Sequence, residues 1–289
     1  MRSLHRPSPL PDPKQTKPEV LLELDYYSEG PIVNQSGEVF FTDLQGQCIR
    51  KYQNGQSEVW GKGQRPNGQA VMENGCHLVC DSQSAAVFKY SHQGKFLGKA
   101  SPDHIGNVRV RCPNDVAICP ENGFYFTDSV REDGAVFFVG WNGETKVLAT
   151  GVDFANGIVF HREKNILLVA ESYKNRILKL DLDLSPKDNG FRSVFAELPF
   201  NDNPSLTGNL PDGMALDIDG RLWIAHYGMQ AIQVLSENGE LLATYDSGIP
   251  LTSNLCFHEE ALLITGGFGE PGPGRLSRIK VGIKGYPLF

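Results

Sequence analysis

The chain has 289 residues, 40% of them hydrophobic, with 31 Gly and 18 Pro, a balance that suits a turn-rich globular core and excludes a disordered chain. Its net charge of −7 comes without a Lys/Arg block, which excludes an electrostatic footprint for nucleic acid or an anionic membrane. The length permits one all-β domain, and the six cysteines show neither the C-x-x-C pairs of a zinc site nor the density of a disulfide scaffold, so most read as buried free thiols.

In chain order, residues 1–17 are polar and Pro-rich and lack the apolar run of a signal peptide or a membrane span. They are expected to form a flexible tail on a cytoplasmic protein. Residues 18–27, PEVLLELDYY, read as a strand. Beyond them no window longer than about ten residues keeps a helical period, and short β-branched and aromatic runs recur between Gly, Asn and Asp.

Six segments open alike: SEGPIV at 28, RPNGQAV at 65, CPNDVAI at 112, FANGIVF at 154, LPDGMAL at 210 and TSNLCF at 252. Each is followed by a turn and a second strand: EVFFTD, CHLVCD, GFYFTD, NILLVAES, RLWIAH and ALLITG. A third strand usually follows, as in AVFFVGW, RILKLDLD and AIQVLSE. The polar residues Glu29, Asn67, Asn114, Asn156, Asp212 and Asn254 are separated by 38, 47, 42, 56 and 42 positions, a mean of 225/5 = 45, which is the length of a four-stranded propeller blade.

Single hairpin repeats cannot bury both faces, and radial closure removes their edges. The predicted fold is therefore a six-bladed β-propeller over residues 18–289. Only 35 residues follow Asn254, so residues 18–27 are expected to supply the outermost strand of the sixth blade. The stretches SPKDNG at 185 and PFNDNPSLTGN at 199 read as long loops, and GFGEPGPG at 267 as a hairpin loop without the setting of a phosphate loop.

In a propeller the first strand of each blade lines the axis, so one repeated position forms one ring. At a single site Asn, Asp or Gly is ordinary turn chemistry, but the polar residue keeps its phase in all six blades, and turn chemistry does not call for Glu at 29. Two carboxylates and four amides, without thiol or imidazole, suit a hard divalent cation. Asp43, Asp81, Asp128 and Glu171 end second strands and read as turn caps; His226 breaks that run and reads as a substrate contact. His104 reads as exposed, and Cys112 as a small buried hydrophobe.

The segments SEGP at 28, PND at 113, ANG at 155 and PDGM at 211, with the WIA strand after the last, resemble the senescence marker protein (regucalcin) and gluconolactonase family over residues 24–281. The resemblance implies a catalytic divalent cation and lactone hydrolysis. It implies Glu29, Asn114, Asn156 and Asp212 as metal ligands, with Asn114 also touching substrate and Asp212 as the base or nucleophile. Cys112 stands where regucalcin has Arg, with Arg111 one step earlier, and the PND form with Asp115 is more like bacterial lactonases.

The expected function is a metal-dependent lactonase in which the cation polarises the carbonyl and Asp212 activates water, with Asn67, Asn114, Asp115, His226 and Asn254 around the substrate. Ca2+ is the first choice of ion, then Mg2+, Mn2+ or Zn2+. The alternatives are an organophosphate (fluorophosphatase-like) hydrolase on the same ring and a non-catalytic calcium-binding propeller, as monomer or dimer. A further possibility is recruitment to a biosynthetic elimination or isomerisation.

Overall fold

The computed structural model describes residues 7–201 and 208–287. Short runs rich in Val, Ile, Leu and Phe, each cut by a tight turn, give six four-stranded antiparallel sheets, as period-two burial between turn residues requires. The innermost strands are Ser28–Val33, Pro66–Val71, Pro113–Cys119, Ala155–His161, Leu210–Leu216 and Leu251–His258. Each neighbours the next, and the sixth neighbours the first. The chain is a closed six-bladed propeller with these strands around its axis.

The closing strand is the expected one. Glu19–Leu24 pairs antiparallel with Gly274–Lys280, on the outside of blade six. A loop hairpin, His104–Ile105 with Val108–Arg109, precedes blade three, and His104 is exposed. Residues 185–190 form a loop within blade four; the 199–209 excursion falls partly outside the described residues.

Hydrophobic burial sits between the blades. Each of the six junctions has its own cluster, such as Phe40 and Ile49 against Val79 and Tyr90 between blades one and two, and Trp223 and Ile232 against Leu262 and Ile264 between blades five and six. Trp223 stacks on Tyr245 at 5.4 Å. The last junction, blade six to blade one, joins Val39 and Phe41 to Leu263 and Leu276, with Leu22 and Leu24 packed against them. Four cysteines are buried, Cys76 and Cys112 are half-buried, and all six are free.

The segment expected as a tail is laid against blade five where it is described. The Ser8 amide donates to Asp219 Oδ2 (2.9 Å), the Tyr245 hydroxyl donates to the Pro11 carbonyl (2.8 Å), and Leu10 joins the Trp223 cluster. Among the described residues no helix is long and apolar enough to cross a membrane.

Candidate metal centre

Every blade carries a register shift near the start of its first strand, for example between Pro113 and Val116 and between Pro211 and Met214. One extra residue there bends the strand and re-aims its side chain, here toward the axis. Register fixes which residue occupies the bulge: Ser28, Pro66, Pro113, Ala155, Pro211 and Thr252 each face the last residues of the second strand. The next residues are Glu29, Asn67, Asn114, Asn156, Asp212 and, in blade six, Ser253.

The sixth position is thus a correction to the sequence alignment. Asn254 pairs with Thr265 and lies one step further on, in the layer of Gly30, Gly68, Asp115, Gly157 and Gly213. In the sequence Asn254 reads as the ring member because it is the amide of its segment, while Ser253 offers no signal beyond phase.

That second layer is a floor beneath the ring. A Cβ at Gly68 would lie 2.2 Å from Asp115 Oδ1, and one at Gly213 would lie 2.0 Å from the Asn254 side chain, so these glycines leave the room that the two longer residues fill from opposite blades. Asp115 accepts the Val116 and Ile158 amides at 2.9 and 3.1 Å. Asn254 Nδ2 donates to Glu29 Oε2 (2.9 Å), and Asn254 Oδ1 accepts the Leu255 amide. Both residues, expected around the substrate, have these atoms engaged within the floor.

In the ring itself, Glu29 is buried and its Oε2 also accepts the Gly30 amide (2.5 Å). Asn156 Nδ2 donates to Ser172 Oγ (3.2 Å), which turns its Oδ1 the other way. The Oδ1 atoms of Asn156 and Asn67 are buried without a hydrogen-bond partner, which leaves two carbonyl oxygens desolvated and unrepaid. Asn114 is buried with the rest.

Three carboxyls share this low-dielectric space. Burial, then the charges of Glu29, Asp115 and Glu270, pushes Asp212 well up, against the Asn156 hydrogen bond. Burial raises Glu29, with the Asp115 charge adding to it and the Asn254 hydrogen bond opposing. Burial raises Asp115 to about 7, against its two amide donors. Clustered like charges disfavour ionisation, and a cation reverses that. Among the described residues no three His, Cys, Asp or Glu side chains form a metal-binding group; the ring depends on amide oxygens beside Glu29 and Asp212, a donor set for a hard ion.

His226 departs from its expected place around the substrate. It is fully buried, with Nε2 on Asn175 Oδ1 (2.9 Å) and Nδ1 on Gln233 Nε2 (3.2 Å), and burial lowers its pKa to about 4. It occupies the position of Asp43, Asp81, Asp128 and Glu171, which tie loops: Asp43 accepts the Gly46 amide, Asp81 that of Gln64, Asp128 that of Arg111 and Glu171 that of Asp153. Arg111 is bound to Asp128 and Asp133, and Cys112 is half-buried.

Two contributors escaped the sequence reading. Ser172 Oγ receives Asn156 and donates to the Pro211 carbonyl of the next blade (2.7 Å); the acid-Ser pairs Asp81-Ser82, Asp128-Ser129 and Glu171-Ser172 were a legible signal for it. Tyr27 is buried, and its phenol is pushed up by burial and by the charges of Asp212 and Glu29, which marks it as their neighbour. Residue 27 lies in the short connection between Glu19–Leu24 and Ser28–Val33, just ahead of the first opener, where the repeated polar position does not point it out.

The architecture and its axial ring define a six-bladed propeller with an oxygen-donor site at one end of its channel. The chain belongs to the family described as SMP-30/Gluconolactonase/LRE-like region, whose match covers residues 27–267. It is 26% identical over 226 residues to the lactonase drp35 of Staphylococcus epidermidis, covering 73% of this chain and 66% of that relative. The chain thus spans just under two thirds of the length of that curated relative. Its fold is similar to a gluconolactonase of Xanthomonas campestris (TM-score 0.77, 20% identity, 96% and 99% of the two chains). It is also similar to regucalcin of Agrobacterium tumefaciens, described as a calcium-binding protein (TM-score 0.73, 17% identity, 94% and 96%).

Proposed function

We propose that the chain is a divalent-cation-dependent hydrolase of lactones, with Ca2+ the first candidate ion. The observation that carries this reading is the pair of buried, unpartnered amide oxygens, Asn67 Oδ1 and Asn156 Oδ1, in one ring with the raised carboxyls of Glu29 and Asp212. Orphaned acceptors beside crowded acids are costly unless a positive charge repays them. Glu29, Asn114, Asn156 and Asp212 would hold the ion. Family membership and the drp35 relatives supply the reaction class.

When bound, the cation polarises the lactone carbonyl and stabilises negative charge on its oxygen, an effect of several kcal/mol. Asp212 takes a proton from water. The water oxygen adds to the carbonyl carbon, the ring C–O bond breaks, and the alkoxide recovers the proton as the open hydroxy acid forms. Asp212 suits that role by position, as a buried carboxylate of the ring that a bound cation would keep ionised against its acidic neighbours. Asn254 and the Gly30 amide fix the Glu29 carboxylate, and Ser172 fixes Asn156, so these side chains need little rearrangement. Asn67, whose Oδ1 has no hydrogen-bond partner, and Asn114 would orient the substrate.

The test is a pH-indicator screen of lactones and a phosphotriester, with chelator and then Ca2+, Mg2+, Mn2+ or Zn2+ added back. Acid release from lactones that stops with chelator and returns with one ion is the expected result. Turnover of the phosphotriester alone would point to organophosphate hydrolysis. Cation binding without turnover of either would leave a calcium-binding scaffold.

A further inference from the structure

Below the floor, the axial channel continues as a cavity of about 370 Å3 that opens on the face opposite the ring. Its walls are the downstream halves of the six inner strands, with Val33, Val71, Ile118, Val159, Leu216 and Phe257 among the lining side chains. Val33, Ile118, Val159 and Phe257 are only half-buried, so apolar surface is left facing the cavity. Asp115, Asn254 and Gln69 reach it from the floor. Their polar groups are engaged elsewhere: Gln69 Nε2 donates to the Gly30 carbonyl (2.8 Å) and Gln69 Oε1 meets His77 Nδ1 (3.0 Å), while Asp115 and Asn254 are bonded as described above.

Such a tube gives water few partners, and apolar cavities of this kind stay dry or take apolar guests. Its size falls in the range of small-molecule sites. From Asp115 to Cys119 or Asn254 to His258 the inner strands run on below the floor for four rises, roughly 13 Å, which matches an extended alkyl chain of about ten to twelve carbons. The charged lining residues nearer the mouth are Arg162, Glu259 and Lys284. Arg162 is paired with Glu121, and Lys284 is exposed.

We propose that this lower channel binds a medium-chain fatty acid, its alkyl chain along the apolar wall and its carboxylate at Lys284. The site is separated from the oxygen ring by the Asp115 and Asn254 floor and does not depend on the lactonase reading.

Calorimetric titration of the full chain with sodium dodecanoate, below its micelle concentration, reads binding without reference to turnover. One site per chain with a micromolar Kd is expected. Ala215→Phe, which enlarges a residue lining the channel, should weaken it by at least about tenfold, and Val33→Phe, at another lining residue, serves the same purpose if Ala215→Phe fails to fold. Lys284→Glu should weaken dodecanoate by about fivefold and shift preference toward dodecyltrimethylammonium. The absence of binding heat, or several sites per chain indifferent to both channel-filling variants, would overturn the proposal.

Discussion

At the scale of single residues, the ring's chemistry lies in groups held against their usual preferences. A carboxyl whose folded pKa is raised keeps its proton where the unfolded chain has lost it. The folded state then binds more protons, and stability falls as pH rises. For Asp115 the window runs from the ordinary carboxylate range of about 4 to about 7, and Glu29 and Asp212 act in the same direction. In chelator, the Tm should therefore fall between pH 5 and pH 8, and saturating Ca2+ should lessen that fall; a Tm flat across the window in chelator would contradict the burial of all three acids. Asp212→Asn keeps an oxygen donor and loses the base, so kcat should drop by roughly 10²–10⁴ while calorimetry still detects the cation. The type and phase of Glu29, Asn114, Asn156 and Asp212 were legible because repetition brings them to one axis. The Ser253 for Asn254 exchange was not, since blade six carries its amide one residue after the ring position and only the pairing of Asn254 with Thr265 reveals the offset.

At the scale of strands, one position near the end of the second strand does a structural job in blades one to five that composition disguises. Four blades place an acid there to receive loop amides, and blade five places His226 between Asn175 and Gln233. The sequence displays the break in the acidic run, and the break suggested a ligand contact; only the long-range partner, 51 residues away, reveals the same tie made with a different group. His226→Ala strands the Asn175 oxygen and the Gln233 amide, which should cost about 1–3 kcal/mol. Chemical denaturation should register that loss, with kcat/KM for a lactone substrate unchanged well below the melting temperature. A large fall in kcat/KM at full stability would instead put His226 on the substrate. A double-mutant cycle with Asn175→Ala should return a coupling of about 0.5–3 kcal/mol.

At the scale of the whole molecule, stability depends on closing the ring, because each junction cluster needs both of its blades. The blade count and the N-terminal closure were legible, as the repeat length and the shortfall of chain after Asn254 allow few other solutions. The anchoring of Ser8 and Pro11 on blade five was not, because Pro-rich polar segments carry no periodicity to mark a docking surface. Closure rests on Glu19–Leu24, where the exposed pairs Arg278 with Glu19 and Arg275 with Glu23 contribute about 0–1 kcal/mol each. Leu22 and Leu24, packed on the Phe41 and Leu276 cluster, contribute more, up to roughly 1.5–3 kcal/mol for full burial. Leu22→Asp with Leu24→Asp should therefore lower the Tm markedly. By freeing the edge of Gly274–Lys280 for pairing with other chains, it should also raise light scattering on heating. Val20, 48% exposed on the same strand, provides the control: Val20→Asp should leave both readings near wild type, and an equal loss there would mean that the backbone pairing, not the leucine contacts, holds the ring shut.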